Sequence, residues 1–463
     1  MRFLLKSFIL FLLTLSFWAC KTEQQQEDNR PNIIFILTDD QRWDALGYAG
    51  NKHISTPEMD KLAADGYYFK NALVTTPICA ASRASILSGL HERTHQYNFH
   101  SKPISEKIAK HSYPYLLRKA GYKTGFYGKL GVHIENVESL FDVNEFYDRL
   151  SSEKNYKGYF YKTLGDDTVH LTRYTGQKAI EFIANSEGGE PFCLSLSFSA
   201  PHAHDPASDQ YFWQAETDSL YKSQNMPGPS LGDDFYYDSL PEAVRKGINR
   251  VRWNWRFNTS EKYQHSVKGY YRMISGIDRE LGKIREALME KGIAKNTVII
   301  VMGDNGYFLG ERQLAGKWLM YDNSLRVPLI IYDPRDKKHQ NIEEMALNID
   351  VTPTLLTLAG VESPKSFQGK SLVTSDGRIS VFERDTVLVE HLYKHPNIPP
   401  SEGIRTHHWK YFRYILDRST EELYDLENDP GETINLAKNQ QYTDTLNELR
   451  KACDRKINAF SAN

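Results

Sequence analysis

Asn32-Ile33-Ile34-Phe35-Ile36-Leu37 runs straight into Thr38-Asp39-Asp40. An unbroken apolar run, rich in β-branched and aromatic residues and stopped by a polar triplet, reads as a strand buried on both faces of a parallel sheet. Two later stretches repeat the pattern: Phe192 to Phe198, continuing into Ala200-Pro201-His202, and Thr297 to Met302, continuing into Asp304-Asn305. Lys123 to Tyr127 reads as a shorter strand with Lys129 just beyond it. Helical patterns lie between. Thr56-Pro57-Glu58 opens a helix through Ala64 that Gly66 closes, Tyr113 to Ala120 ends at Gly121, and Val267, Tyr270, Tyr271, Ile274, Ile277, Leu281, Ile284 and Leu288 keep three-and-four spacing up to Gly292. Such alternation predicts an α/β fold, a large and mainly parallel sheet sandwiched by helices. After about residue 375 shorter pieces follow, at Thr386 to Glu390, His408 to Tyr414 and Leu423 to Leu426, with a final helix from about Tyr442. They predict a smaller C-terminal antiparallel sheet plus helix. Ligands of parallel sheets bind beyond the C-terminal ends of the strands, and Asp39, Asp40, Lys129, His202, Asp304 and Asn305 all fall there.

The 463 residues carry 57 basic against 59 acidic side chains, a net charge of -2 that gives no bulk attraction to nucleic acid. With 40% hydrophobic and 25% charged residues the composition is that of a soluble globular protein, long enough for one large α/β domain and a small one. Aromatic residues make up 12%, with 28 tyrosines, and sugar rings are natural partners for such surfaces. Residues 1–19 stand apart: Arg2 and Lys6 precede an apolar run from Ser7 to Ala19 that is too short for a membrane span, the pattern of an export signal. Ala19-Cys20 resembles a lipoprotein cleavage site. Lipidation of Cys20 would anchor an exported, periplasmic or cell-surface protein to its membrane, with plain secretion as the alternative. Residues 20–30 are polar and read as a flexible tether, 31–375 as the catalytic domain and 376–463 as a C-terminal subdomain. Cys193 and Cys453 lie in apolar patterns and read as packing residues, with no disulfide framework.

The second decisive stretch is Thr76-Pro77-Ile78-Cys79-Ala80-Ala81-Ser82-Arg83-Ala84-Ser85-Ile86-Leu87-Ser88-Gly89. Small, helix-favouring residues after Pro77 predict a helix with Cys79 at its positive N-terminal end, and Arg83, one turn on, shares its face. Cys-x-x-x-Arg alone is a weak signal, because a packed cysteine near a surface arginine is common. The whole run resembles the signature of type I, formylglycine-dependent sulfatases of the alkaline-phosphatase-like superfamily, with Ala81 where most of them carry proline. Glu422 to Glu432, followed by Asn435-Leu436, is similar to the C-terminal signature of the same family, and the chain looks like a bacterial polysaccharide sulfatase.

That resemblance implies that a maturing enzyme oxidises Cys79 to formylglycine, whose hydrate attacks sulfur. It implies too that Asp39, Asp40, Asp304 and Asn305 hold a metal together with residue 79. The all-oxygen donor set of these four favours Ca²⁺, with Mg²⁺ as second choice, over zinc. Arg83, Lys129 and Lys317, in Gly316-Lys317-Trp318, match family positions that steady formylglycine or grip the sulfate. Fixed cations stabilise the charge that develops as the alcohol leaves. His202 is the expected general acid, shared with Lys317. Relatives carry a histidine two or three residues after the lysine; here Leu130-Gly131-Val132 intervene, and His133 is carried over as the group that helps expel sulfate.

Between His202 and the long helix lies a stretch that reads as irregular, with Tyr211-Phe212-Trp213, Phe235-Tyr236-Tyr237 and Arg250 to Arg256. Aromatics stack on sugars and arginines clasp carboxylates or sulfates, although at least half of these aromatics are expected simply to pack. His100, Arg252, His391 and His408 are candidate substrate-binding residues. The expected substrate is a sulfated carbohydrate, an oligosaccharide from a sulfated uronic-acid polysaccharide of ulvan or heparan type attacked from its end. Two rivals stand beside this reading: a phosphonate or phosphate ester hydrolase of the same superfamily, and an inactive carbohydrate-binding relative that keeps Cys79 as a thiol.

Overall fold

The computed structural model describes residues 30–147, 160–205, 207–336, 338–374, 376–380 and 382–461. The expected export signal, Cys20 and the tether up to residue 29 lie outside the described residues, as does residue 375 at the expected boundary. No described helix is long and apolar enough to cross a membrane.

Eight strands form the central sheet: β1 (Asn32–Thr38), β2 (Tyr67–Leu73), β3 (Lys123–Gly128), β4 (Val143–Phe146), β5 (Phe192–Phe198), β6 (Thr297–Gly303), β7 (Leu329–Tyr332) and β8 (Gln340–Leu347). Their order is β8-β2-β7-β6-β1-β5-β3-β4. Only β7 runs against its neighbours β2 and β6; the remaining pairings are parallel. The expected mainly parallel α/β sheet is therefore what forms. At its centre β1 pairs with β6, Thr38 opposite Gly303, and with β5, Thr38 opposite Phe198. Parallel strands held in this register end at one level, so the polar residues that follow them meet.

Helices cover both faces: α1 (Pro57–Asp65), α2 (Cys79–Ser88), α3 (Tyr113–Lys119), α4 (Leu171–Ala184), α5 (Ile248–Arg256), α6 (Ser260–Glu290) and α7 (Val351–Leu358), while α8 (Thr443–Ser461) closes the chain. Alternate side chains of β1 point to opposite layers, as a strand requires. Ile33, Phe35 and Leu37 pack with Leu117 of α3 and with Leu355 and Leu356 of α7. Ile34 and Ile36 pack with Leu62 of α1, Phe182 of α4, and Tyr270, Ile274 and Ile277 of α6. Helix α6 starts about two turns before its first apolar position, Val267, because the Thr259 hydroxyl accepts a bond from the Lys262 N–H and caps it. The stretch read as irregular contains α5, so Arg250 to Arg256 are helical. Asn249 fastens that helix by donating its amide to the Ala315 and Lys317 carbonyls at 3.0 Å each.

Strands β9 (Val387–His391), β10 (Ser401–Arg405), β11 (Trp409–Tyr414) and β12 (Glu421–Asp425) form the antiparallel C-terminal meander. Leu388, Ile404, Tyr411 and Leu423 on one face pack against Leu446, Leu449 and Cys453 of α8. Val387, Val389, Phe412 and Tyr424 on the other face join the core of the large sheet. The three described cysteines, Cys79, Cys193 and Cys453, are free and buried.

The two sheets are also joined by charge. Lys410 of β11 is fully buried, its ammonium donating to Asp322 and, at 2.5 Å, to Glu432. The Glu432 carboxylate in turn takes the Asp322 backbone N–H at 2.8 Å, and Asp322 opens the short helix that follows the Lys317 loop. Removing the ammonium leaves Asp322 with Arg405, 3.3 Å away, and, among the described residues, Glu432 with a backbone N–H alone, a change that costs up to about 3–5 kcal/mol. Lys410→Met is expected to lower the thermal midpoint and enhance proteolysis around residues 310–325, read by calorimetry and limited digestion; an unshifted midpoint contradicts the role given to this pair.

Candidate active site

Cys79 is the first residue of α2, with Ile78 in extended conformation as the cap. The first-turn backbone N–H groups of a helix carry partial positive charge, so this end favours an anion. One turn later Arg83, buried, spreads its guanidinium across the strand ends. Its Nε donates to Asp304 Oδ2 at 2.7 Å, Nη1 to the Lys129 carbonyl at 2.7 Å and to Ser197 Oγ at 2.5 Å, and Nη2 lies 4.0 Å from Asp39 Oδ2. Ser197 in turn donates to the Lys129 carbonyl at 2.7 Å, so it links β5 to the residue that follows β3.

Asp39 and Asp40 leave β1 in a turn in which Asp40 adopts φ 72°, held by the Tyr270 hydroxyl, which donates to the Asp40 carbonyl at 2.6 Å. The Asp40 N–H donates to Asp304 Oδ1 at 3.0 Å and the Asn305 amide donates to Asp40 Oδ1 at 2.7 Å. The pairs that follow β1 and β6 are thereby interlocked. Lys129 donates to Asp39 Oδ2 at 2.5 Å and Lys317 to Asp40 Oδ1, with Lys317 Nζ also 3.9 Å from Asp39 Oδ1. His202 Nε2 stands 3.7 Å from Asp40 Oδ2.

These contacts set the protonation of the site. Burial would push the Asp39 carboxyl up, but Lys129, His202, Lys317 and Arg83 together hold it well below the usual carboxylate range. Burial and the neighbouring Asp39 carboxylate raise Asp304 to about 6, against the pull of Arg83. Burial lowers His202 to about 4, opposed by Asp40 and Asp39. For Lys317 burial favours the neutral form, but Asp40, Cys79 and Asp39 more than reverse it, so the ammonium keeps its proton at neutral pH. Lys129 is raised in the same sense by Asp39 and Cys79.

The donor set suits a hard divalent cation. Two buried oxygens, Asp39 Oδ1 and Asn305 Oδ1, have no hydrogen-bond partner among the described residues, although buried polar atoms are normally satisfied. Asp39, Asp40 and His202 each bring one ligating atom within 4.8 Å of the others. Oxygen donors from Asp39, Asp40, Asp304 and Asn305 match Ca²⁺ or Mg²⁺ better than zinc.

Cys79 opens into a cleft of about 580 Å³ that Asp39, Lys129, His133, His202, Arg252 and Lys317 also line. His133 belongs to this wall and donates its backbone N–H to the Tyr97 hydroxyl at 2.8 Å. Arg252, on α5, is held by Asp205, with Nε 3.0 Å from Oδ2, and its guanidinium lies 4.2 Å over the Trp318 ring. His100 is absent from the lining; it stacks on Tyr393, at 5.1 Å and 8° between the rings, and Tyr393 meets the cleft. His391 and His408 also lie away from the cleft. His391 is fully buried within β9, and His408 is exposed on the turn before β11, 2.7 Å from Glu427. Neither Tyr211-Phe212-Trp213 nor Phe235-Tyr236-Tyr237 lines the cleft; its aromatic rings are Tyr97, Phe99, Phe160, Trp318 and Tyr393. Sequence reasoning missed these rings, along with Asp205 and His395, because they come from five distant segments with no shared pattern. Ser197 was visible only as one of two serines alternating with apolar residues in β5.

A family model described as Sulfatase matches residues 31–361. The chain belongs to the sulfatase family. A second model, described as N-sulphoglucosamine sulphohydrolase, C-terminal, matches residues 310–459 of this sulfatase. An arylsulfatase of Clostridium perfringens is 29% identical over 91% of the chain and 93% of its own length. An N-acetylglucosamine-6-O-sulfatase of Bacteroides thetaiotaomicron is 28% identical over 95% and 88%. Among solved structures, one in complex with its substrate D-glucosamine-2-N,6-O-disulfate superposes with a TM-score of 0.78 at 24% identity, covering 94% of this chain and 99% of that one. The phosphonate monoester hydrolase of Agrobacterium radiobacter superposes at 0.74 with 21% identity, covering 94% and 96%. These two matches show the alkaline-phosphatase-like fold, and membership of the family makes the chain a sulfuric ester hydrolase.

Asp304→Ala is expected to lose bound divalent metal and activity together, while Asn305→Ala retains the fold with weakened metal binding; atomic emission on the purified chains reads both. Full metal stoichiometry in Asp304→Ala removes that residue from the ligand set.

Proposed function

We propose that this sulfatase removes sulfate esters from the ends of oligosaccharides derived from sulfated uronic-acid polysaccharides of ulvan or heparan type. Its nucleophile is formylglycine, made from Cys79 by a maturing enzyme, and its metal is Ca²⁺, with Mg²⁺ second, held by Asp39, Asp40, Asp304 and Asn305. The observation that carries this reading is the meeting of Cys79, Asp39, Lys129, His202 and Lys317, from five separate segments, in one cleft. Export and a lipid anchor at Cys20 suit a polymer-derived substrate. The Bacteroides relative named for N-acetylglucosamine 6-O-sulfate, and the five aromatic rings facing the cleft, support a sugar.

Formylglycine supplies, once formed, a hydroxyl nucleophile on a carbon that can later release sulfate, and a bound divalent cation supplies Lewis acidity beside it. The remaining work falls to side chains of the chain. Lys129, Lys317 and Arg83 present positive charge where the non-bridging sulfate oxygens gather negative charge during S–O cleavage. Lys317 holds a proton at neutral pH, and with His202 it delivers one to the departing sugar oxygen. An anionic ester beside the His202 imidazole raises the proton affinity that burial has lowered. His133, on the wall shared with residue 79, takes the proton whose removal expels sulfate.

Phosphonate ester hydrolysis is the second reading, favoured by the fold shared with a phosphonate monoester hydrolase. One panel separates them: matured enzyme is incubated with defined oligosaccharides of heparin, chondroitin sulfate and ulvan and with phenyl phosphonate esters, and free sulfate and phenol are measured. Faster turnover of the phosphonates overturns the sulfate reading. Cys79→Ala is expected to lose about 10³-fold or more in kcat/KM, the scale of removing a covalent nucleophile, with its melting curve unchanged. Wild-type rates in that variant would exclude residue 79 as the nucleophile.

A further inference from the structure

A second hollow adjoins the cleft. Two side chains that line the cleft, His395 and Ile398, also line this hollow of about 430 Å³ together with Lys246, Lys394, Tyr414 and Leu416. The ridge between the two spaces is a turn in the connection from β9 to β10. Its ends pair as an isolated bridge, His395 with Ile398, and the Asn397 N–H donates to His395 Nδ1 at 3.1 Å. The Asn397 carbonyl accepts the Ile248 N–H at 3.0 Å, tying the turn to the start of α5. Pro396, Pro399 and Pro400 fix the backbone around it. On the cleft side the His395 ring lies 5.9 Å from Tyr393 at 28°, and Phe99, 52% exposed, meets the edge of Tyr393 at 5.4 Å. The ridge is therefore braced, and thin enough for the same two side chains to serve both spaces.

We propose that the second hollow is a sugar subsite that holds a residue further along the same oligosaccharide whose sulfated end lies in the cleft. This inference rests on the carbohydrate reading above. The volume falls in the range of pockets that accept small ligands. Among the described residues Lys394, exposed, makes no ion pair, and Lys246 pairs only with the likewise exposed Glu242. Ammonium groups so placed can turn to a carboxylate or sulfate on the incoming sugar. Asp417, the acidic residue of the lining, has its carboxylate engaged by the Ser419 and Thr420 hydroxyls. Leu416, 74% exposed, and the proline-rich turn offer apolar surface to the ring.

The test uses oligosaccharides of two, four and six sugars from the polysaccharide turned over fastest in the panel. The wild type is expected to prefer the tetrasaccharide over the disaccharide in kcat/KM, and Lys246→Ala/Lys394→Ala to lose about five- to tenfold on the tetrasaccharide, the scale of two exposed charge contacts, with the disaccharide rate unchanged. Equal rates at all lengths, a length preference that survives in the variant, or an equal loss on the disaccharide each overturns the subsite. Calorimetric binding of the same sets to Cys79→Ala, with and without the two lysine changes, reads the hollow without turnover. A length-dependent Kd that the lysine changes erase supports the subsite even where no sulfate is released, and that silence would count against the reaction alone. A Kd indifferent to length overturns the subsite and leaves the reaction standing.

Discussion

Three carboxylates buried at the ends of two neighbouring strands set the terms for the whole site. Asp39, Asp40 and Asp304 are essentially inaccessible, and the register that places Thr38 opposite Gly303 leaves them no room to move apart. Burying unpaired charges is prohibitive, so the fold must bring cations to them. It does so with Arg83, Lys129 and Lys317, each from a different segment, and the balance among these three acids and three bases is formally neutral. Neutrality is not satisfaction, however. Asp39 Oδ1 and Asn305 Oδ1 still lack a hydrogen-bond partner among the described residues, so the geometry retains capacity for one more positive centre.

Delivery of those cations constrains backbone far from the sequence motifs. Lys129 reaches Asp39 because β3 ends beside β5, where Gly128 adopts φ 130° and an added Cβ would lie 1.9 Å from the Ser197 carbonyl oxygen. Only glycine fits there. Gly131, at φ 69°, plays a similar part, since a Cβ there would approach the Arg83 Cδ to 2.8 Å. Lys317 depends on α5, whose Asn249 amide holds the carbonyls of Ala315 and Lys317. The C-terminal sheet enters the same frame: the Glu390 N–H donates to the Thr75 carbonyl at 2.8 Å, four residues before Cys79, so the meander braces the loop that leads into α2.

The central strands and long helix were legible because burial on both faces leaves uninterrupted apolar runs, and an amphipathic helix leaves a periodic one. Strand β10 was not, since Ser401-Glu402-Gly403-Ile404-Arg405 contains one large apolar residue and pairs through its backbone and the charges of Glu402 and Arg405. The insert read as irregular hid α5 because its apolar positions, Ile248, Val251, Trp253 and Trp255, are interleaved with arginines, whose contacts with Tyr237, Trp318 and Asp205 hold the helix. Residues at strand ends could be placed by topology alone, which is why Asp39, Lys129, His202 and Asp304 come together as the strand pattern implies. His391 and His408 had no such guide: neither a histidine in a short antiparallel strand, as His391 is, nor one in the turn before a strand, as His408 is, carries a mark of what it faces, and neither lines the cleft.

The charge balance also explains why sulfate and phosphonate chemistry can share this fold. With a divalent cation added to the neutral set, the site carries two positive charges in excess. A sulfate monoester brings one negative charge, and so does a phosphonate monoester; in each case a second develops as the ester oxygen departs. The interior therefore matches the transition state of either reaction, and cannot by charge alone distinguish them. Discrimination must come from what surrounds the reacting group, and the surroundings are drawn from other parts of the chain: Tyr97 and Phe99 after α2, Arg252 on α5, and Tyr393 and His395 between β9 and β10. Each of these segments lies outside the strand ends that carry the chemistry, so substitution there can change the alcohol that is accepted without disturbing the buried acids and bases. Differential binding of the leaving group, rather than any change in the catalytic charges, is then the physical route by which one member of this fold becomes specific for a sugar.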